Sequence, residues 1–411
     1  MTDISPPKGR GALAKREARL AWGLLFPTIA IVALVVIVPL LAIFWISVKP
    51  VKLGDLRPAE MRLRISLRDN DAQSQVEYRV INPSREHVIH GAGFDTTLPE
   101  GVTLTGDLPK GCALSGQDLH CEFGDLAPRF NERYRIDARV TGDAKSLQRP
   151  VRDSATVARG KADNILTNST FTLENFTKLF DGSEFWSVLG VTLFYTIFGT
   201  LGALLVGLFA ALLLNKDFRG QGILRGLYLF PYVAPVIAVA FTWITLFDPF
   251  SGSANALLIQ MGVSQGAINF FGQKPLALIM VTVFEIWRYF PLSFLFILAR
   301  MQSIDTDMYE AADMDGASPF QKFWYLSMPQ LLGILSVLFL LRFIWTFNKF
   351  DDIFLLTGGN AGTRTLTVDV YEQAFAVSNI GAGAAVAVVV FGCLLIFAAL
   401  FFRTMSREEG L

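Results

Sequence analysis

The chain carries few of the residues from which catalytic sites are built. Its 411 residues include only three histidines, and His87, His90 and His120 all fall within residues 53–161. No imidazole outside that segment is available to activate a nucleophile. If His87 and His90 lie on a strand, their spacing points the rings to opposite faces, so no metal site is expected there. No Gly-x-x-x-x-Gly-Lys-[Ser/Thr] run occurs, which removes the phosphate-cradling loop of nucleotide hydrolases. Net charge is absent as well, with 36 basic against 36 acidic residues. No global field therefore favours nucleic acid or an acidic substrate. These absences exclude a catalytic constellation, and no cofactor is expected on this chain.

Long apolar runs are present instead. Hydrophobic residues make up 52% of the sequence and its mean hydropathy is +0.43, too apolar for an ordinary soluble domain. A bilayer core is crossed by about 20 apolar helical residues. Six stretches meet this length, at 21–48, 185–214, 224–247, 275–298, 331–347 and 381–402. The first exceeds the apolar core of a signal peptide, has no clear cleavage site after it, and carries Trp22 and Trp45 near its ends. It is expected to be retained as a membrane helix.

Basic residues flanking the spans give an orientation. Lys8, Arg10, Lys15, Arg16 and Arg19 precede the first span, Lys216, Arg219 and Arg225 follow the second, and Arg403 and Arg407 follow the last. Both tails, 1–20 and 404–411, are expected in the cytoplasm. Parity across six spans then places residues 301–330 in the cytoplasm and the stretch 49–183 outside.

Within residues 53–161 the pattern changes to short alternating runs, such as Arg62-Leu63-Arg64-Ile65-Ser66-Leu67-Arg68 and Arg133-Tyr134-Arg135-Ile136-Asp137-Ala138. Period-two alternation bounded by turn residues marks half-buried strands, and six or seven candidates suggest a small β-sandwich. The expected fold is thus a mainly α polytopic bundle with an inserted all-β external domain. Cys112 and Cys121 lie in this insert, where an oxidising compartment permits a disulfide, with free thiols as the alternative. Cys393 lies in the last span. Leu98-Pro99-Glu100-Gly101-Val102, with Cys121-Glu122-Phe123-Gly124-Asp125-Leu126 after it, resembles immunoglobulin-like repeat domains of bacterial surface proteins.

The most informative segment is the polar loop 301–330. Asp305 can cap a helix starting near Thr306, and Gly316 can end it in the left-handed conformation. Ser318-Pro319-Phe320-Gln321 then reads as a second start, with an N-cap, a first-turn proline and a capping box. Phe320, Phe323 and Trp324 would give this second short helix an apolar face suited to a protein partner.

Tyr309-Glu310-Ala311-Ala312-Asp313-Met314-Asp315-Gly316-Ala317, followed by Leu326-Ser327-Met328-Pro329, resembles the EAA loop of ABC importer permeases, in wording that looks like the carbohydrate-uptake branch, whose members include the large permease of maltose transporters. Residues 171–403 fit that core. Trp345-Thr346-Phe347-Asn348-Lys349-Phe350-Asp351 and Leu356-Thr357-Gly358-Gly359 carry further resemblance. The resemblance implies a transport subunit in a bacterial inner membrane. Its partners would be a second, similar permease, two ATPase subunits that use ATP and Mg, and an external solute-binding protein. It also implies that Glu310 pairs with a basic ATPase residue, that Gly316 bends the loop, and that Phe320 and Phe323 fill the ATPase cleft, with Ala311, Ala312, Asp315, Ala317 and Pro329 completing the motif.

Charged residues inside spans are costly and face a pore or a partner. Glu285 and Arg288 can pair on one helix face, beside Trp287 and Tyr289, while Arg342 lies deep in the fifth span. Trp287, Tyr289, Phe347, Asn348 and Asp351 supply the rings, amide and carboxylate that suit a neutral sugar. Gly358, Gly359 and Gly362 suggest a broken segment shielded by protein or lining a cavity. The competing expectation is an ATP-independent transporter or channel, which would carry inverted repeats.

Overall fold

A computed structural model describes residues 12–70 and 73–408. Lys8 and Arg10, and the side chains of Lys15 and Arg407, lie outside what it describes. The chain forms two units, a helical one of Met1–Val48 with Leu173–Leu411 and a strand-rich one of Lys49–Thr172.

In the strand-rich unit the alternation resolves into eight strands: β1 (Arg62–Asn70), β2 (Gln73–Ile81), β3 (Ile89–Thr97), β4 (Val102–Leu104), β5 (Cys112–Ser115), β6 (Asp118–Leu126), β7 (Asn131–Val140) and β8 (Thr156–Ala162). They build two antiparallel four-stranded sheets, ordered β1-β2-β7-β4 and β5-β6-β3-β8. Ile65, Leu67, Val76, Tyr78 and Val80 of the first sheet share one buried core with Phe94, Leu119 and Cys121 of the second. Tyr78 stacks on Phe94 with ring centroids 5.3 Å apart. The alternate residues of β1 and β7 face away, as period two requires.

Cys112 and Cys121 stand opposite one another on β5 and β6 and are disulfide-bonded. The bond closes a short loop of sequence separation 9, and loss of that closure costs about 2–3 kcal/mol in the chain-entropy account. Cys112→Ser is therefore expected to lower the unfolding midpoint of the strand-rich unit. An unchanged midpoint, followed by tyrosine fluorescence under oxidising conditions, would contradict this.

The histidines need one correction, since His87 lies in the turn before β3 and not on a strand. The rings still diverge. His87 meets Asp55 at 3.1 Å, His90 meets Asp125 at 3.0 Å, and His120 bonds Asp95.

Among the described residues of the helical unit, five helices are long and apolar enough to span a membrane: Arg16–Ser47, Ser183–Leu214, Leu276–Gln302, Pro319–Phe347 and Ile380–Thr404. They are the first, second, fourth, fifth and sixth spans. The third, expected as one helix, is instead a pair, Gln221–Val233 and Val236–Leu246, bent by 90°. Pro235 explains the break, because it has no N–H to donate and its ring blocks the preceding turn. This is a multi-pass membrane protein with a mainly helical bundle.

Small residues bring the second and fourth spans together. A Cβ placed on Gly207 would lie 2.7 Å from the Ser293 Cβ and 2.8 Å from the Phe294 nitrogen. Only glycine permits this approach, the usual device for packing helices where lipid removes the hydrophobic drive. Large apolar side chains elsewhere, including Leu24, Phe209 and Val233, are exposed and suit a lipid surface.

Candidate functional site

Two regions carry the expected functional residues: the loop 301–330 and a buried polar cluster in the bundle.

In the loop, Asp305 caps the helix Thr306–Met314 by accepting from the Asp307 N–H at 3.1 Å. Its far end closes with Gly316 at φ +75°, Ala317 N–H donating to Ala312 C=O and Gly316 N–H to Asp313 C=O. That pair of bonds is a Schellman closure, which satisfies carbonyls left over at the helix end. Ser318 and Gln321 form the capping box. The second helix is not short, however. It runs from Pro319 through a π turn at Phe323–Ser327 directly into the fifth span, ending at Phe347. Pro329 gives the reason: lacking an N–H and crowding the preceding turn, it is accommodated by the wider π turn just before it.

The loop is fastened to the spans at both ends. Arg300 donates to the Gln330 carbonyl at 3.2 Å and to its side chain at 3.1 Å. Tyr309 Oη lies 2.8 Å from Ser327 Oγ, and Lys322 donates to Asp313 at 2.6 Å. Phe323 packs partly on the core formed by Met301, Leu298 and Leu331, so only part of the expected apolar face is free. Phe320 and Trp324 remain exposed, with Met314 and Tyr325, which sequence reasoning did not select. Glu310, Ala311, Asp315 and Pro329 are exposed as well, while Ala312 and Ala317 are half-buried.

In the bundle, the Glu285–Arg288 pairing does not occur. Arg288 turns to the break in the third span and donates to the Pro231 and Ala234 carbonyls, each at 3.1 Å. These acceptors adjoin the proline break, and a backbone carbonyl without a donor is costly in hydrocarbon. Glu285 turns instead to the second and fifth spans and is fully buried. It accepts from Arg342 at 2.6 Å, Thr346 at 2.9 Å and Tyr195 at 2.9 Å.

Beside this pair is a cavity of 130 Å³ lined by Tyr232, Glu285, Tyr289, Arg342, Trp345 and Lys349. Arg342 and Lys349 both lie over the Tyr289 ring, at 4.6 and 4.4 Å from its centre. Lys349 also reaches Asp351 at 3.3 Å and the buried Asp352 at 3.6 Å. Of the expected pathway residues, the structure brings Glu285 and Tyr289 to the cavity. Phe347 packs in the core against Phe343 instead, because its side of the fifth span faces Val386 and Val390 of the sixth. Trp287 points to an apolar hollow with Phe209 and Phe290. Asn348 is exposed and bonds the Ile344 carbonyl.

Sequence reasoning missed Tyr195, Tyr232 and Trp345. The glycine-rich break it flagged separates two short helices, Asp351–Thr357 and Leu366–Tyr371. Arg364 ties this break to Glu184 at 2.5 Å, and Leu366 N–H to the Thr192 hydroxyl at 2.9 Å. A Gly-x-Ser-x-Gly run also exists, at Gly262-Val263-Ser264-Gln265-Gly266, but Ser264 bonds within its own turn after a helix, with no strand before it and no histidine in that unit. It is not a nucleophile elbow.

Residues 203–407 match the family described as the binding-protein-dependent transport system inner membrane component. The chain is 35% identical over 238 residues to the inner membrane ABC transporter permease protein YcjO of Escherichia coli (strain K12), covering 56% of this chain and 78% of that one. It belongs to this permease family. The permease is also 32% identical over 232 residues to the trehalose/maltose transport system permease protein MalF of Thermococcus litoralis, covering 56% of this chain and 78% of the relative. It is 32% identical over 238 residues to the sulfoquinovosyl glycerol transport system permease protein SmoG of Agrobacterium fabrum, covering 57% and 77%. Its fold resembles a chain of a bacterial ABC transporter involved in the import of the acidic polysaccharide alginate, with a TM-score of 0.53 at 20% identity, over 59% of this chain and 85% of that one.

Proposed function

We propose that this permease subunit translocates an oligosaccharide or glycoside by alternating access, driven by ATPase subunits that dock on loop 301–330. The observation that carries the reading is the fifth span, one continuous helix with Phe320 at its loop end and Arg342 and Thr346 at the cavity. At the helical rise per residue, Pro319 and Arg342 are about 35 Å apart along one rod. A displacement of the loop is thus carried to the Glu285 cluster along one unbroken helix, and the Arg300–Gln330 and Tyr309–Ser327 bonds, just after its π turn and within it, make the loop helix move with it.

The exposed face suits an ATPase cleft with a basic rim. Asp307, Glu310 and Asp315 are solvent-facing, as are the apolar Met314 and Phe320. Glu310 pairs there with a basic residue, and Gly316 and Phe320 set and fill the joint. The sugar assignment rests on the relatives' names together with the aromatic and charged lining of the cavity, where Tyr289 and Trp345 offer ring faces. At 130 Å³ that cavity is below the usual range of roughly 300–1,000 Å³ for ligand sites, so a second, similar permease completes the pathway. The assembly sits in a bacterial inner membrane with both termini cytoplasmic. Its immunoglobulin-like insert is periplasmic, where a solute-binding protein delivers the solute.

Reconstitution tests this directly. Liposomes holding the permease, its partner permease and the ATPases are expected to take up labelled trehalose or maltose only with ATP and binding protein present. Uptake by this chain alone down an ion gradient would instead establish the ATP-independent reading.

A further inference from the structure

The strand-rich unit holds a row of like charges that neither its core nor the transport mechanism uses. In the register of the first sheet Arg64 stands opposite Arg79, and Arg79 opposite Arg133. Directly opposed residues share a face, here the one turned away from the core, and like charges in that position disfavour pairing. The carboxylate on the same face of β2, Glu77, does not relieve them. Glu77 is already held by Arg68 at 3.2 Å and Arg135 at 3.0 Å. Burial works to raise its pKa, but the Arg135 hydrogen bond and the charges of Arg68, Arg135 and Arg133 outweigh this and hold it below the ordinary value. Glu77 is therefore an occupied anion. Arg79 bonds only the neutral Asn131 side chain, at 2.8 Å through Nε, and Arg64 has no hydrogen bond or ion pair among the described residues.

These two guanidinium groups border a cleft of 510 Å³, within the size range of small-molecule sites. One wall is built by the end of the helix Ala144–Arg152 and the segment after it, which bring Arg152, Ser154 and Thr156 beside Arg64, Ser66 and Arg79. Guanidinium forks present paired donors matched to a planar or tetrahedral oxyanion, and hydroxyls add single donors or acceptors around it. The Ser66 hydroxyl makes no hydrogen bond among the described residues, while the Ser154 and Thr156 hydroxyls donate to the Val151 and Ser154 carbonyls, also meet the Thr96 hydroxyl at 3.3 and 3.0 Å, and each have one lone pair left for a ligand hydroxyl.

We propose that this cleft binds an oxyanion group, a phosphate, sulfate or sulfonate, with Arg64 and Arg79 as its paired donors and Ser66, Ser154 and Thr156 contacting the polar body that carries it. The site lies within one unit and does not depend on the transport reading. The group can belong to a soluble phosphorylated or sulfonated sugar or to a lipid headgroup, since both present the same oxygens.

Equilibrium dialysis of the full chain in phosphatidylcholine nanodiscs, at constant ionic strength in chloride, tests it with labelled glucose 6-phosphate, inorganic phosphate and glucose. The two anions are expected to bind saturably and glucose not to bind. Arg64→Gln and Arg79→Gln are each expected to weaken binding at least about tenfold, the effect of losing a charge-assisted hydrogen bond. Arg79→Lys, which keeps the charge and loses the fork, should fall between wild type and Arg79→Gln. Arg139→Gln, elsewhere on the same sheet, should stay within about twofold because it removes only screened surface charge. Arg64-dependent capture by phosphatidylglycerol vesicles and not by phosphatidylcholine vesicles, without soluble-anion binding, would support the site with a lipid source. Absence of both kinds of binding, or an Arg139→Gln loss equal to that of Arg64→Gln, would overturn it.

Discussion

Gly316→Pro is expected to abolish ATP-driven uptake while the membrane bundle stays folded. Proline fixes φ near −65°, whereas this position sits at +75°, and it removes the N–H that bonds the Asp313 carbonyl. The local cost is about 3 kcal/mol or more, concentrated in a loop whose Cβ position meets no neighbour within 4 Å. The loss is therefore one of backbone direction, not of core packing. Once the turn fails, the helix Thr306–Met314 no longer presents Glu310 beside Phe320. Glu310→Lys probes the same joint without touching the backbone. Glu310 is exposed and makes no ion pair among the described residues, so its replacement should change the stability of the chain by no more than about 0.5 kcal/mol. Reversing its charge against a basic partner should nonetheless reduce ATPase co-purification at least about tenfold. Uptake and co-purification at wild-type levels in both variants would refute docking at this loop.

What could be read from the sequence, and what could not, divides along local and non-local physics. Asp305, Gly316, Ser318 and Gln321 act within four residues of themselves, and the structure places each in the capping role their spacing implies. Apolar runs long enough for a bilayer are equally local, and so is the alternation that separates Ile65 and Leu67 from Arg64 and Ser66. The partner of Glu285 was not legible, because Arg288 lies three residues away and Arg342 fifty-seven. Choosing between them required knowing that Pro235 breaks the third span and leaves carbonyls for Arg288. The proline itself was visible, and a rule that every mid-span proline needs a donor for its neighbouring carbonyls would have raised the question. Phe347 and Trp287 failed for a related reason. An aromatic ring looks alike in sequence whether it meets a cavity, the core or lipid, and only the rotation of its helix decides.

That rotation is what makes the Glu285–Arg342 pair the most consequential contact in the bundle. Both side chains are almost fully buried, at 1% and 2% exposure, and they join the fourth span to the fifth at the cavity. Removing one partner leaves an uncompensated buried charge, a loss of about 3–5 kcal/mol, whereas replacing both by apolar groups is often neutral. Arg342→Leu is thus expected to lower the detergent-solubilised thermal midpoint sharply, and Glu285→Leu combined with it to recover most of the loss. A single variant as stable as wild type would mean that the pair does not hold the bundle. Uptake adds a second discrimination. Tyr195 and Thr346 also donate to Glu285, so this carboxylate of the fourth span gathers donors from the second and fifth spans at one point beside Tyr289. If the double variant is stable yet its uptake remains lost, the charges serve the moving pathway and not the fold. If uptake returns with stability, their task is to hold the fourth span against the fifth, and the solute is recognised by the neutral faces of Tyr232, Tyr289 and Trp345. The loop variants should lose uptake whether or not this pair is exchanged, because Gly316 lies in the turn before the fifth span begins, away from the Glu285 cluster.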